Sequence, residues 1–279
     1  MGEAKSGILG KVDGIHTIRN WNINDSASAN KFNASNTKGA VGRTAGNIDW
    51  TGGYSSYGHT PVKMPGDEFN FLGAIDDEVD NGVQGDCIVE STEIVVDIAS
   101  GKSIEHNVEF AAKGVLDLEA DASAVVDNVV PDVPPSIGCK LHINKNLVTP
   151  SWEELIYVTT MRLRFSRENP QFANSGTAGV INRSRGNLDC MLSADFQNNK
   201  FGELPAKNTF IGLRMYVTAT TYWEILWGIV ENLTNMSCPV EDAGIVGGTI
   251  NLGFSGYTRV GSTPTEGSIK KPGGATYWP

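Results

Sequence analysis

A chain of 279 residues, 40% hydrophobic and 19% charged, is long enough for two domains of ordinary size, each with its own core. A net charge of −10 argues against a protein that grips nucleic acid, because affinity for phosphates rests on lysine and arginine. No apolar run approaches the roughly eighteen residues of a membrane-spanning helix, and no membrane role is expected.

From the start of the chain, Met1 to Gly7 lack an apolar signal core, so folding is expected where the chain is made. Period-two alternation then dominates. Ile15, Thr17, Arg19, Trp21 and Ile23 fall on one face of a first candidate strand. Ile48, Trp50, Gly52 and Tyr54 mark a second, and Phe69, Phe71, Gly73 and Ile75 a third. Ile104, His106, Val108 and Phe110 mark a later one. Beyond a segment with Pro131, Pro134 and Pro135, the theme returns with Tyr157, Thr159, Met161, Leu163 and Phe165. It continues with Leu213, Tyr216 and Val217, then Ile250, Leu252 and Phe254. Long amphipathic helical patterns are nearly absent; Glu119 to Val126 is the single short helix expected. Asn24–Ala45 and Gly52–Gly66 are too polar and glycine-rich for a compact core. The tail from Ser262 should fray unless its aromatic end, Tyr277-Trp278, docks on a neighbour.

The chain also resembles itself. Phe32–Asp49 lies over Phe172–Asp189 at an offset of 140 without a gap, and eight of eighteen positions are identical. Unrelated sequence would give roughly one. The identities include Arg43/Arg183 and Asp49/Asp189, which read as a repeated structural ion pair or loop-ordering contact. Weaker echoes pair Thr17-Ile18-Arg19 with Thr160-Met161-Arg162 and Phe71-Leu72-Gly73 with Phe210-Ile211-Gly212. Ile88–Ser91 pairs with Ile229–Asn232, and Asn107–Phe110 with Asn251–Phe254. The expected organisation is a mainly β protein with two tandem β-sandwich or barrel domains, each with at most one short helix. Copy one covers 1–119, a linker 120–137, copy two 138–261 and a C-terminal arm 262–279. Duplication of this kind points towards assembly.

Residues that could carry chemistry are few. His16, His59, His106 and His142 are scattered, with no Cys, Asp or Glu at a recognised ligand spacing. Cys87, Cys139, Cys190 and Cys238 form no CxxC pair and fit reduced thiols in a cytosolic interior. Asp76-Asp77-Glu78-Val79-Asp80-Asn81 imitates a calcium loop, but Asn81 stands where Gly is needed and Cys87 where Glu is needed. Gly39–Gly42 lacks the lysine of a phosphate loop, and Gly253–Gly256 is one residue short of a nucleophile elbow. No catalytic, cofactor or metal site is expected, and the protein is not read as an enzyme. Acidic charge is concentrated between Asp67 and Asp132, with 17 acids against Lys102 and Lys113. A solvated acidic face explains it most simply.

With the repeat and the β pattern in place, copy one resembles the major tail tube proteins of long-tailed bacteriophages. The stretches that carry the likeness are Gly10–Gly14, Asn36–Gly39, Ala45–Gly52 and Tyr57-Gly58-His59-Thr60-Pro61, extended by the strand region from Ile88 to Leu116. Copy two has Cys190 in place of Trp50 and nothing matching the Tyr57–Thr60 run. The resemblance implies tail-tube-like domains and a structural virion protein of the tail, assembled in the host bacterial cytoplasm. It implies stacked rings, trimeric and pseudo-hexameric for two fused domains, that form a conduit for DNA. Partners would be other copies of the chain, a tape-measure protein, a tail terminator and baseplate proteins, with DNA passing through unbound. Tyr57, His59, Tyr277 and Trp278 are then candidates for assembly contacts. Asp76, Asp77, Glu78 and Asp80 are candidates for an acidic lumen that repels transiting DNA. Alternatives are a terminator, baseplate or secretion-tube ring on the same fold, or a carbohydrate-binding β-sandwich using Trp223 and Trp227.

Overall fold

The computed structural model describes residues 11–12, 14–15, 17–32, 41–74, 82–121, 133–146, 149–155, 157–173, 180–197, 204–237, 246–260 and 263–278. Among them the protein is all strand and loop. The N-terminal half supplies β1 (Lys11–Val12), β2 (Ile18–Phe32), β3 (Gly42–Tyr57), β4 (Glu68–Ala74), β5 (Gly82–Asp97), β6 (Glu105–Ala112) and β7 (Asp117–Ala120). After them come β8 (Lys140–Asn144), β9 (Trp152–Glu154), β10 (Val158–Arg167), β11 (Gln171–Phe172), β12 (Asn182–Arg183) and β13 (Leu188–Phe196). The chain ends with β14 (Phe210–Tyr216), β15 (Tyr222–Ser237), β16 (Gly247–Phe254), β17 (Tyr257–Val260), β18 (Thr263–Glu266), β19 (Ser268–Lys270) and β20 (Thr276–Trp278). Each expected stretch meets a strand, β2, β3, β4, β6, β10, β14 or β16, although Ile15, Thr17, Ile104, Tyr157 and Val217 fall outside the strand bounds and Ile75 lies outside the described residues. The short helix is not found: Glu119 and Ala120 belong to β7, which pairs with β5, and 122–132 lies outside the described residues.

Sixteen of these strands form one sheet, in which all named strand pairs are antiparallel. Its order contains the same pattern twice. In the first half β2-β3-β6-β5 is followed on β5 by β4; in the second, β10-β13-β16-β15 is followed by β14. The irregularities repeat too. The β2–β3 ladder slips between Ile18 and Asn20 and the β10–β13 ladder between Val158 and Thr160, 140 residues on. The β5–β6 ladder slips between Val89 and Ser91 and the β15–β16 ladder between Val230 and Asn232, 141 residues on. A bulge inserts one unpaired residue and bends its strand, so its position is as specific as a sequence motif.

The ladders correct three of the weaker echoes. Leu72 faces Gln84 as Leu213 faces Ile225, so β4 and β14 correspond here at 141 rather than 139. Trp21 faces Tyr54 as Met161 faces Ala194, so β2 and β10 correspond at 140 rather than 143. Phe110 faces Val89 and Gly52 as Leu252 faces Val230 and Leu192, so β6 and β16 correspond at 142 rather than 144. The bulge also removes Arg19 from the apolar face assigned to it. Ile18, Trp21 and Ile23 pack on the core, while Arg19 turns out to Glu105 at 2.9 Å.

Each five-strand set curls enough to bring non-adjacent strands face to face. Trp21 of β2 meets Phe71 of β4 edge-on at 5.7 Å, with Phe71 also against Phe110 at 5.0 Å. In the second half Phe165 of β10 meets Trp223 of β15 at 5.1 Å. Gly52–Tyr57, expected outside the core, lies within it: Gly52, Tyr54 and Ser56 are buried on one face of β3. The first core holds Trp50, Phe71, Val89, Val108 and Phe110. The second draws Met64, Ile94, Val96 and Ile104 from the first half into the apolar cluster of the second half. The second core therefore spans the division at 120–137. That segment is itself tied down where it is described. Ile104 N–H donates to Pro134 O at 3.0 Å, and Ser136 Oγ donates to Asp97 O at 2.6 Å.

The C-terminal arm docks on its own chain rather than fraying. β19 pairs with β15, burying Ile269 completely, and Lys270 Nζ reaches Glu224 at 2.8 Å. Burial would raise the Glu224 carboxyl, but hydrogen bonds from Lys270 and Arg214 outweigh it and hold its pKa below the usual range.

His106, on the buried face of β6, is 1% exposed and its Nε2 has no hydrogen-bond partner among the described residues. Burial, with the neighbouring His59 adding to it, lowers its pKa to about 4. An unfolded histidine titrates near 6.5. The native state therefore keeps its full stability above about pH 6.5 and loses about 3 kcal/mol as the pH falls through about 4. Urea unfolding at a series of pH values should show this loss in the wild type and a shallower slope in His106→Gln. Equal slopes would exclude His106 as the cause.

Candidate assembly interface

The two five-strand sets are joined edge to edge by β5 and β10. Seven consecutive pairs run from Thr160↔Asp97 to Ser166↔Ser91. β5 is long enough to do this because its first half carries β4 and its second half carries β10 on the same edge. The turn at Gly66 and Asp67 fills the gap between them, with N–H and C=O groups bonded to Val89. Ile94, Val96, Met161 and Leu163 from the two sides are all fully buried at this seam.

A second contact clamps the seam. The hairpin β11–β12, carried out from β10 and β13, folds over the first half. Ile181 N–H donates to Ile48 O at 3.0 Å. Arg183 follows with its side chain 2% exposed, paired through both terminal nitrogens with Asp49 at 2.8 Å. Nη1 also donates to Ala112 O at 3.0 Å, and Glu90 Oε1 lies 3.4 Å from Nε. Arginine suits this place because its planar fork binds a carboxylate at two points. Partial burial raises the pKa of the Glu90 carboxyl, which Arg183 opposes. Asn169 Nδ2 to Val89 O at 3.2 Å and Arg167 Nε to Pro65 O at 3.0 Å complete the attachment. The repeated Arg and Asp do form an ion pair, but between the halves: Arg183 of the second reaches Asp49 of the first.

Among the described residues both counterparts of this seam are uncovered. β2, which corresponds to β10, pairs with β3 on one side and with no described strand on the other. β15 carries β14 along its first half, as β5 carries β4, and β16 on the opposite edge. No described strand covers the remaining edge from Glu231 to Ser237, the counterpart of the β5 edge that binds β10. This open edge is more polar than the closed one: Asn235 and Ser237 stand where the seam has Ile94 and Val96. Asn235 has φ of 51°, and the ladder slips between Thr234 and Ser237. A bulged polar edge is how sheet proteins restrain indiscriminate strand pairing.

The residues expected to mediate assembly lie elsewhere. Tyr277 is half-buried against its own chain, its ring edge-on to Phe165 at 5.4 Å and its hydroxyl donating to Pro65 O at 3.2 Å. Burial, partly countered by Arg167, raises its pKa to about 12. Trp278 pairs through its backbone with Ile269. Tyr57 ends β3, its N–H donating to Thr17 O, and His59 is half-buried near His106. Asp76, Asp77, Glu78 and Asp80 lie outside the described residues. Trp223 and Trp227, the candidates for a sugar platform, are buried. Cys87, Cys139 and Cys190 are buried thiols whose pKa values burial pushes up, Cys139 to about 11.

Sequence reasoning passed over the acidic residue that repeats beside the bulges, Glu90 and Glu231, although both sit inside the matched Ile88–Ser91 and Ile229–Asn232 echo. No protein-family model matches the chain, and no curated protein is significantly similar to it.

Proposed function

We propose that the protein is a structural subunit that assembles head to tail with copies of itself into stacked rings. The carrying observation is the β5–β10 seam: the chain joins two like-ordered strand sets edge to edge, and no described strand covers the two corresponding edges. A head-to-tail contact cannot satisfy itself within a pair of subunits, so it propagates into a closed ring or a filament. The resemblance of copy one to tail tube proteins implies a sixfold ring, which two strand sets per chain would supply from three chains. The likeness of copy one to phage tail tube proteins makes the stacked ring a tail tube, a conduit for DNA in the virion.

Sedimentation velocity and negative-stain microscopy of the purified full-length chain test this. Stacked tubes built from three-chain rings are expected. A single unstacked ring would transfer the reading to a terminator or baseplate component. A monomer that persists at high concentration would overturn it.

A further inference from the structure

Resting on the head-to-tail reading, we infer that Arg43 of one copy inserts between Asp189 and Glu231 of a second copy and locks the open edges together. The site is the counterpart of the Arg183 clamp. Arg183 corresponds to Arg43 at an offset of 140, and its partner Asp49 to Asp189 at the same offset. Glu90 corresponds to Glu231 at 141, as the shared bulge establishes. Ala112 O, which accepts from Arg183, has its counterpart in Phe254 O at the 142 of the β6–β16 ladders. Each group around Arg183 itself thus recurs, but split between the two ends of one chain. Arg43 and Glu231 are exposed, as is Asp189, and none of the three has an ion-pair partner among the described residues. Glu168 and Arg185 border the groove that Asp189 lines, so the site is not uniformly acidic.

The arm that carries Arg43 is built to bend where the second-half hairpin bends. The β10–β13 ladder ends at Arg167↔Leu188, and the hairpin then folds over its neighbour. At the corresponding pair, Ala27↔Ile48, the β2–β3 ladder slips. The same glycine serves both places. A Cβ on Gly186 would lie 1.7 Å from Glu168 O, and one on Gly46 would lie 2.9 Å from Ser28 O, the corresponding atom. Among the described residues no other strand pairs with the arm beyond Ala27 and Ile48, and Asn24–Phe32 and Val41 are exposed. Arg167 and Asn169 have only Ala27 and Ala29 as counterparts. Of the three polar side chains that clamp the internal seam, Arg43 alone is carried over. The lock therefore depends on it, and on charge.

The seam register transfers as well. Arg164–Ser166 opposite Ser91–Glu93 becomes Asn24–Ser26 of one copy opposite Asn232–Thr234 of the next, with Ser26 facing Asn232. Three full-length variants test the lock by the concentration at half-assembly. Arg43→Glu and the pair Asp189→Asn/Glu231→Gln should each raise it by about thirtyfold or more, as loss of one side of an interfacial ion pair does. Arg43→Glu with Asp189→Arg should recover assembly. Thermal unfolding of each variant at low concentration should match the wild type, because the three side chains have no described ion partner in the single chain. Oxidation of Ser26→Cys/Asn232→Cys should give a covalent ladder of chains. A ladder together with Arg43→Glu assembling at wild-type concentration would remove the lock and leave the edge pairing standing. Neither ladder nor wild-type assembly would remove both.

Discussion

Replacing Arg183 with alanine lowers the unfolding free energy by about 3 kcal/mol, the lower end of the cost of breaking a buried ion pair. The lower end applies because Asp49 and Glu90 are 20% and 36% exposed and regain water, whereas Arg183 at 2% is sealed. At about 2–4 °C per kcal/mol for a chain of this size, the midpoint falls by about 6–12 °C. Lysine should not restore it, since one ammonium cannot match the planar fork that places Nη1 and Nη2 on Asp49 while Nη1 also donates to Ala112 O. A double-mutant cycle of Arg183→Ala with Asp49→Ala is the decisive measurement. Strongly non-additive losses are expected, and additive ones would show that the pair does not couple the halves.

Trp50→Ala carries the second large effect, about 3–5 kcal/mol of stability, measured by denaturant unfolding. The ring is 1% exposed and edge-on to Phe110 at 6.1 Å. Its Nε1 donates to Gly114 O at 2.8 Å, so truncation also strips an acceptor of its partner. The pocket is shaped for it by Gly85, where an added Cβ would lie 2.5 Å from the ring. Gly85→Ala should accordingly cost about 1–3 kcal/mol by overpacking, and its cost should shrink in the Trp50→Ala background. A loss under 1 kcal/mol for Trp50→Ala would mean that the first core collapses readily around the gap. The second half solves the same position differently: Cys190 pairs with Phe165 where Trp50 pairs with Asp25, so the bulk moves to the neighbouring strand.

That exchange explains why the second copy is hard to read in sequence. Packing requires total volume at a cross-strand pair, not a given residue on a given strand, so bulk can cross while the ladder stays in place. The identities of the long matched block survive where side chains do something that volume cannot replace. Arg43/Arg183 and Asp49/Asp189 keep their charges, and Gly46/Gly186 keep a close backbone approach. The Ile88–Ser91 echo held, whereas the other short echoes missed by two or three residues because local identity of Thr-x-Arg or Asn-x-x-Phe carries little information. Bulge positions carry more, and they are invisible before the pairing is known.

The amino-acid order by itself determined the mainly β character, the buried faces of the regular strands and the correspondence of the two matched blocks where they are described. Alternation and side-chain type encode these directly. Only the tertiary structure decided that β10 joins β5, that Arg183 reaches the other half's aspartate, and that the aromatic tail packs on its own chain. Strand edges meet through backbone N–H and C=O groups that are the same for nearly every residue, so nothing in the letters marks which edge meets which.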